Sequence, residues 1–377
     1  MGEMQRIPCV IMRGGTSKAM FLKANHLPQD AAVRDQVILE IFGSPDVRQI
    51  DGLGGADPLT SKLAIIAPST HPDADIDYTF GQVSLTAPYI DYTGNCGNIS
   101  SAVGPFAIDE GFVAAQAPTT TVRIHNTNTG RILVAEVPTV NGRARVTGDC
   151  KIDGVPGTGA RIMLDFSGTA GSATDRLLPT GNPVDTISTS NGPLDISIVD
   201  VSNPCVFVRA KDLGMTGQET PQQVNGNAAL LALLEEIRAK ATVMIGMAPD
   251  IQTATQKSPA FPMIAFVAPA ADYVDFTTGQ TISSKQVDFL SRMMFMQVLH
   301  KTYPGTGTAC TGAAAKIAGT IVHEAIPHID TIEVIRIGHP AGIIDIEAAV
   351  DKGELVRAAF SRTARRIMEG YVFVRNA

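Results

Sequence analysis

Little in this 377-residue sequence would tie it to a membrane, a nucleic acid or a metal. No apolar run approaches the length of a membrane span. Only 18% of the residues are charged, and the balance is acidic at −7. Nucleic acids are held by clustered Lys and Arg, so they are excluded as partners. The opening MGEMQRIPCVIMRGG lacks the long apolar core and small-residue cleavage site of a secretory leader. Arg6 stands where an N-myristoylation signal after Gly2 needs Ser or Thr. The cysteines, Cys9, Cys96, Cys150, Cys205 and Cys310, are scattered and odd in number. That is a poor disulfide framework and suits a reducing cytoplasm. No two have zinc-ligand spacing and the seven histidines do not cluster, so no metal is expected.

What the chain does have is apolar bulk. A hydrophobic content of 44% implies a globular, well-buried protein, too long for one ordinary core and suited to two domains. Strand-like and helix-like segments alternate, which makes the class mixed α and β. RIPCVIMRGGTSKAMFL is β-rich, and PQDAAVRDQVILEIFG reads as a helix opened by Pro28 and closed at Gly43. KLAIIAPS, DIDYTFGQVSL and TVRIHN read as strands. ISSAVGPFAIDEGF reads as a buried helix, kinked or cut short at Pro105. The pattern restarts near Asn182-Pro183, which divides the chain into domains at 1–184 and 185–377. Beyond it, LDISIVDVSNPCVFV and AFPMIAFVAPA are strand-like, while QQVNGNAALLALLEEIRAKATVMIG and SSKQVDFLSRMMFMQVLH read as helices. A Gly-rich loop, GTGTAC, then runs into a helix of small residues.

Two stretches carry the chemistry. GNCGNISSAVGPFAI and TACTGAAAKIAGTIV share one design: cysteine near glycine, then a smooth helix of Ala, Ile, Val and Gly. Their placement, one in each half, suggests two related domains, each built on a buried helix. A helix N-terminus exposes unpaired N–H groups and carries partial positive charge, so it can hold a carboxylate without Arg or Lys. A cysteine there is shifted toward thiolate. Gly97 clears the approach, and Asn95 and Asn98 add polar contacts. Two such helices facing each other would grip a dicarboxylate and hold Cys96 and Cys310 near its carbon skeleton. Cys9, Cys150 and Cys205 read as buried filler. In DGLGGADPLTSKLAII, Gly52, Gly54 and Gly55 make a flexible turn before Thr60, Ser61 and Lys62. Lys62 is either surface decoration or an inward amine whose pKa desolvation lowers, available as a base. Arg13–Lys18 lacks the spacing of a nucleotide-binding loop.

Together MRGGTSK, DGLGGADPLTSKLAII, GNCGNIS and GTACTGAAAKIAG resemble, in order and over nearly the whole chain, the PrpF-like isomerases. The resemblance implies an α+β fold like diaminopimelate epimerase: two similar domains, each a sheet wrapped around a central helix, with the site in the cleft between. It implies a cofactor-independent 1,3-allylic proton shift on a small unsaturated di- or tricarboxylate. The candidates are acids of the methylitaconate, 2-methylaconitate and 4-oxalomesaconate kind. Lys62 is the implied proton-shuttling base, with Cys96 lining the same pocket. Ser17, Lys18, Thr60, Ser61, Asn95, Gly97, Asn98, Thr306, Gly307, Cys310, Thr311 and His339 are the implied substrate contacts. The family is often a homo-oligomer, and a cytoplasmic location is expected. Cys205 stands where the epimerase pattern has histidine, and ACTGA replaces ACGTGA around Cys310. A two-thiol racemase using Cys96 and Cys310, and a non-catalytic dicarboxylate-binding protein, are the rival readings.

Overall fold

The computed structural model describes residues 3–375. By contacts the chain divides into two compact units. The first takes the described residues through Lys151, Gly157–Leu164 and those from Arg362 onward; the second takes Ile152–Pro156 and Asp165–Ser361. These limits differ from the division expected at 184/185. The C-terminal residues join the first unit through a non-local pairing: the strand Ala364–Arg375 runs antiparallel along Met4–Gly14, from Met4↔Arg375 to Gly14↔Ala364. Nothing local in the sequence marks such a pair.

In the first unit, β1 (Met4–Gly14) and β2 (Ser17–Lys23) form a hairpin, and β2 runs parallel to β3 (Lys62–Pro68). Next come β4 (Ile76–Val83), antiparallel to β3, and the short β5 (Ile90–Asp91) on its end. β6 (Thr119–Asn126) is parallel to β4 and antiparallel to β7 (Arg131–Val140). Helix α1 (Ala31–Phe42) covers one face, packing Ile38, Ile41 and Phe42 on Met20, Leu22, Leu63 and Ile65. Asp30, rather than Pro28, caps it, and Gly43 in the left-handed region (φ 70°) ends it. Strand side chains alternate between faces, so Lys62 points away from Leu63, Ile65 and this cluster. There lies α2 (Gly97–Asp109), buried through Ile108 and packed against β1, β2, β3, β6 and β7. It continues through Pro105 to Asp109 without the expected break, because burial on all sides outweighs the lost hydrogen bond. At Gly104 a Cβ would lie 2.8 Å from Val137, so only glycine admits the sheet this closely.

In the second unit, strand Gly192–Val201 pairs antiparallel with Asp185–Thr189 and with Asn203–Arg209. Asn203–Arg209 runs parallel to Met263–Pro269. The run read as a single helix at 222–246 is two, α3 (Pro221–Asn225) and α4 (Ala228–Met244), separated at Gly226 and recapped by Asn227. α4 packs on an outer cluster that includes Ile198, Val206, Ile264 and Phe266. A short α5 (Ile251–Lys257) follows. The helix expected over SSKQVDFLSRMMFMQVLH is wrong: Phe289–Phe295 and Val298–Leu299 are strands. Phe289–Phe295 is buried on both faces and hydrogen-bonds to Met263–Pro269 and Val334–His339. A continuous apolar run cannot distinguish a buried strand from a helix. Met296 and Gln297, at φ 52° and 62°, form the two-residue turn. The expected Gly-rich loop is already helical: α6 spans Gly305–Lys316, buried except at Lys316. At Gly307 a Cβ would lie 2.3 Å from Met293 Sδ, and at Gly312 one would lie 2.7 Å from Ile346. Its glycines serve close packing that outweighs their poor helix propensity. No helix among the described residues is long and apolar enough to cross a membrane.

Candidate functional site

Strand pairing in the first unit builds the site. Parallel register sets Ala19 beside Lys62, and antiparallel register sets Gln82 on its other side. Lys62 is therefore held among backbone neighbours on both sides and is only 2% exposed. Its Nζ donates to Gln82 Oε1 at 2.7 Å, lies over the Phe80 ring at 5.3 Å and interacts with Cys96. Desolvation lowers the Lys62 pKa, only partly opposed by Cys96 and Asp57. The inward alternative is the one realised.

Cys96 is the N-cap residue of α2 and is half-buried. No side chain caps the helix, and the first residue, Gly97, adds no bulk. Asn95 Oδ1 instead accepts the Cys96 N–H at 2.7 Å, and Ser100 Oγ donates to the Cys96 carbonyl at 3.0 Å. The buried Tyr78 phenol lies beside Cys96 and Ser100, and burial raises its pKa well above the ordinary value.

Asn98 organises the rest of the helix start. Its Nδ2 donates to Thr16 Oγ1 at 3.1 Å, and its Oδ1 accepts from Arg362 Nε at 2.9 Å. Arg362 is buried, and desolvation lowers its pKa to about 9, so it remains cationic at neutral pH. The glycine pair of MRGG is explained here: at Gly14 a Cβ would lie 2.4 Å from the Asn98 carbonyl. At Gly15, with φ 50°, it would lie 2.2 Å from Asn98 Oδ1. Ser17 starts β2 on the same side; it is buried, and its Oγ has no hydrogen-bond partner among the described residues. Lys18 is half-buried and its N–H ties the strand to the Leu59 carbonyl at 2.9 Å.

The glycines of DGLGGADPLTSK do not make a flexible turn. A Cβ at Gly54 would lie 2.2 Å from the Gln49 side chain, and one at Gly52 would lie 2.1 Å from Gly43 N. Gln49 is buried in the left-handed region at φ 44° and locks the loop. Its Oε1 accepts from Ser61 Oγ at 2.6 Å and Ala56 N at 2.9 Å. The Ser61 hydroxyl is thereby committed to the loop, and Thr60 Oγ1 donates to the Asp57 carbonyl at 3.2 Å.

The second unit gathers its own set around α6. Thr306 Oγ1 accepts from Asn203 Nδ2 at 2.9 Å, and Gly307 follows in the first turn, which no side chain caps. Thr311 shares a 3.0 Å hydrogen bond with Tyr303, whose ring stacks on His339. His339 Nδ1 accepts the Ala341 N–H at 3.2 Å. Cys310 sits in the second turn rather than at the helix mouth. It is 0% exposed and donates to the Val199 carbonyl at 3.1 Å. Buried Cys205 lies against it, with a pKa raised well above the ordinary thiol value by desolvation and by Cys310.

Sequence reasoning missed Gln82, Gln49, Tyr78 and Arg362. Only strand register reveals Gln82. Arg362 stands among several arginines in SRTARR, none of which is distinguished by spacing.

The fold is a mixed α+β one that also occurs in solved epimerases. A solved hydroxyproline epimerase from Agrobacterium vitis superposes at a TM-score of 0.58, over 98% of this chain and 93% of its own, at 12% identity. The chain belongs to the PrpF family, whose model, described as PrpF protein, matches residues 4–375. It is 66% identical to the 3-methylitaconate isomerase of Eubacterium barkeri, over 100% of this chain and 99% of the relative. A crystal structure of methylitaconate-delta-isomerase superposes at a TM-score of 0.85, covering 99% of this chain and 97% of that one. The 2-methyl-aconitate isomerase of Shewanella oneidensis is 38% identical, over 98% and 97% of the two chains.

Proposed function

We propose that this chain is a cofactor-independent isomerase that moves a carbon–carbon double bond in a small unsaturated dicarboxylate, with 3-methylitaconate the foremost candidate. A base takes a proton from the carbon that is α to one carboxylate and allylic to the alkene. Charge spreads onto that same carboxylate and, through the alkene, to its far carbon, as a dienolate. A proton then returns at the far alkene carbon, and the double bond has moved by one position. The abstracted proton is weakly acidic, so stabilising the dienolate oxygens is the main requirement.

The observation that carries this reading is the buried amine of Lys62, held by Gln82 and interacting with Cys96 at an uncapped helix start. A lowered pKa leaves more of the amine neutral at pH 7–8, where it serves as a base. Cys96, the more exposed of the two, delivers or returns the proton. The first-turn N–H groups of α2, with Arg362, Asn98 and the Ser17 hydroxyl, hold the carboxylate that gains charge. The two units are read as related copies, each with a buried small-residue helix whose start lacks a side-chain cap. The closed environment of Cys310 does not favour the two-thiol racemase.

The test is proton NMR in heavy water with 3-methylitaconate, 2-methylaconitate and 4-oxalomesaconate. Isomerisation with deuterium entering at two carbons supports the reading. Exchange at one inverting centre, or binding without exchange, refutes it.

A further inference from the structure

We infer that Gln82 is a positioning residue for the proton transfer: its amide oxygen is fixed against Lys62 Nζ and aims the rest of that nitrogen at Cys96. This rests on the reading of Lys62 as the base.

The orientation of the amide follows from its surroundings. Gln82 is 2% exposed and sits opposite Lys62 in the antiparallel pair of β3 and β4. Its Nε2 donates to two backbone carbonyls, Pro58 at 3.1 Å and Ser61 at 3.2 Å. Its Oε1 accepts from Lys62 Nζ at 2.7 Å. Turning the amide over would set an oxygen against two carbonyl oxygens and an NH2 against an amine that also donates. All three hydrogen bonds would be lost, so the oxygen must face Lys62.

A tetrahedral amine with one hydrogen committed to Gln82 has two positions left beyond its carbon. In the neutral form these are one hydrogen and the lone pair. Cys96 is the other side chain acting on the amine, so proton exchange with it uses a position not committed to Gln82. A neutral acceptor suits both states, because ammonium and amine each donate to it. A carboxylate would hold the ammonium instead. The ionisable groups acting on the amine are Cys96 at the start of α2 and Asp57 in the preceding loop. Gln82 itself contributes no charge. Pro58 and Ser61 belong to the loop that Gln49 locks, so the amide transmits that loop's rigidity to the base.

The experiment compares full-length wild type, Gln82→Glu, Gln82→Met and Lys62→Ala. For each, kcat and KM for 3-methylitaconate isomerisation are measured from pH 5.5 to 10. Gln82→Glu should move the acid-side limb of kcat up by a pH unit or more, with KM within threefold. Gln82→Met should cut kcat at pH 8 at least tenfold, with KM similarly little changed. Should Gln82→Met fail to fold, the isosteric Gln82→Glu decides alone. An unmoved acid limb in Gln82→Glu, or an effect confined to KM, overturns the inference. Lys62→Ala separates the two claims. If it is inactive while the limb stays put, only the role of Gln82 fails; if it stays active, the base assignment fails and Gln82 falls with it.

Discussion

Replacing Lys62 by methionine probes both the chemistry of the site and its cost to the fold. Loss of a positioned general base lowers rates by about 10²–10⁴-fold. At about 1.36 kcal/mol per decade this is about 2.7–5.4 kcal/mol of transition-state stabilisation. Stability should move the other way, with a pH signature. Burial holds the Lys62 amine below its ordinary value of 10.5. Between the lowered and the ordinary value, the unfolded chain binds a proton that the folded chain does not. Native stability therefore rises with pH through that window, and the full penalty applies below it. Methionine carries no such penalty, although the orphaned Gln82 oxygen costs about 1–3 kcal/mol. Lys62→Met should thus compare best with the parent at low pH and lose ground steadily toward pH 10.5. The assay is urea unfolding at pH 7, 8, 9 and 10, in a Cys96→Ser background so that the thiol adds no titration of its own. Activity is read with Cys96 intact. A stability difference independent of pH, or a rate within tenfold of wild type, would refute the reasoning.

Other substitutions test the surrounding scaffold. Gly15→Ala forces a left-handed alanine, costing about 1–2 kcal/mol. It also displaces Asn98 Oδ1 from Arg362, for about 1.5–3 kcal/mol more. An unfolding free energy within about 0.5 kcal/mol of wild type, about half the typical single-mutant effect, would contradict the packing at the start of α2. Arg362→Met should raise KM about ten- to a hundredfold, the equivalent of one charged hydrogen bond. An unchanged KM removes Arg362 from the carboxylate site. Cys310→Ala should keep the isomerisation rate within tenfold while lowering stability by about 1–2 kcal/mol through the small cavity left behind. Loss of all solvent exchange would restore the two-thiol racemase.

Local signals carried much of the site. The Cys96 cluster and the small-residue run after it marked a helix start with a thiol at its mouth, and α2 begins at Gly97. Asp30 and Gly43 bracket α1 by ordinary capping chemistry. The errors fell where local patterns are degenerate. Phe289–Phe295 is a strand because it lies between two others, which its apolar run could not report. GTGTAC is helical because neighbouring side chains come close to Gly307 and Gly312, although six small residues in water would not hold a helix.

By itself, then, the sequence determined the family, the α+β class, the inventory of reactive groups and the place of Cys96 at a helix start. These follow from motif order and from periodicity within a few residues. Tertiary structure alone decided that Lys62 turns inward, that Gln82 faces it, that Arg362 reaches Asn98 and that Cys310 is closed off. Each depends on strand register or on partners tens to hundreds of residues away. A side chain's exposure is set by which elements cover it, and no short window of sequence contains that information.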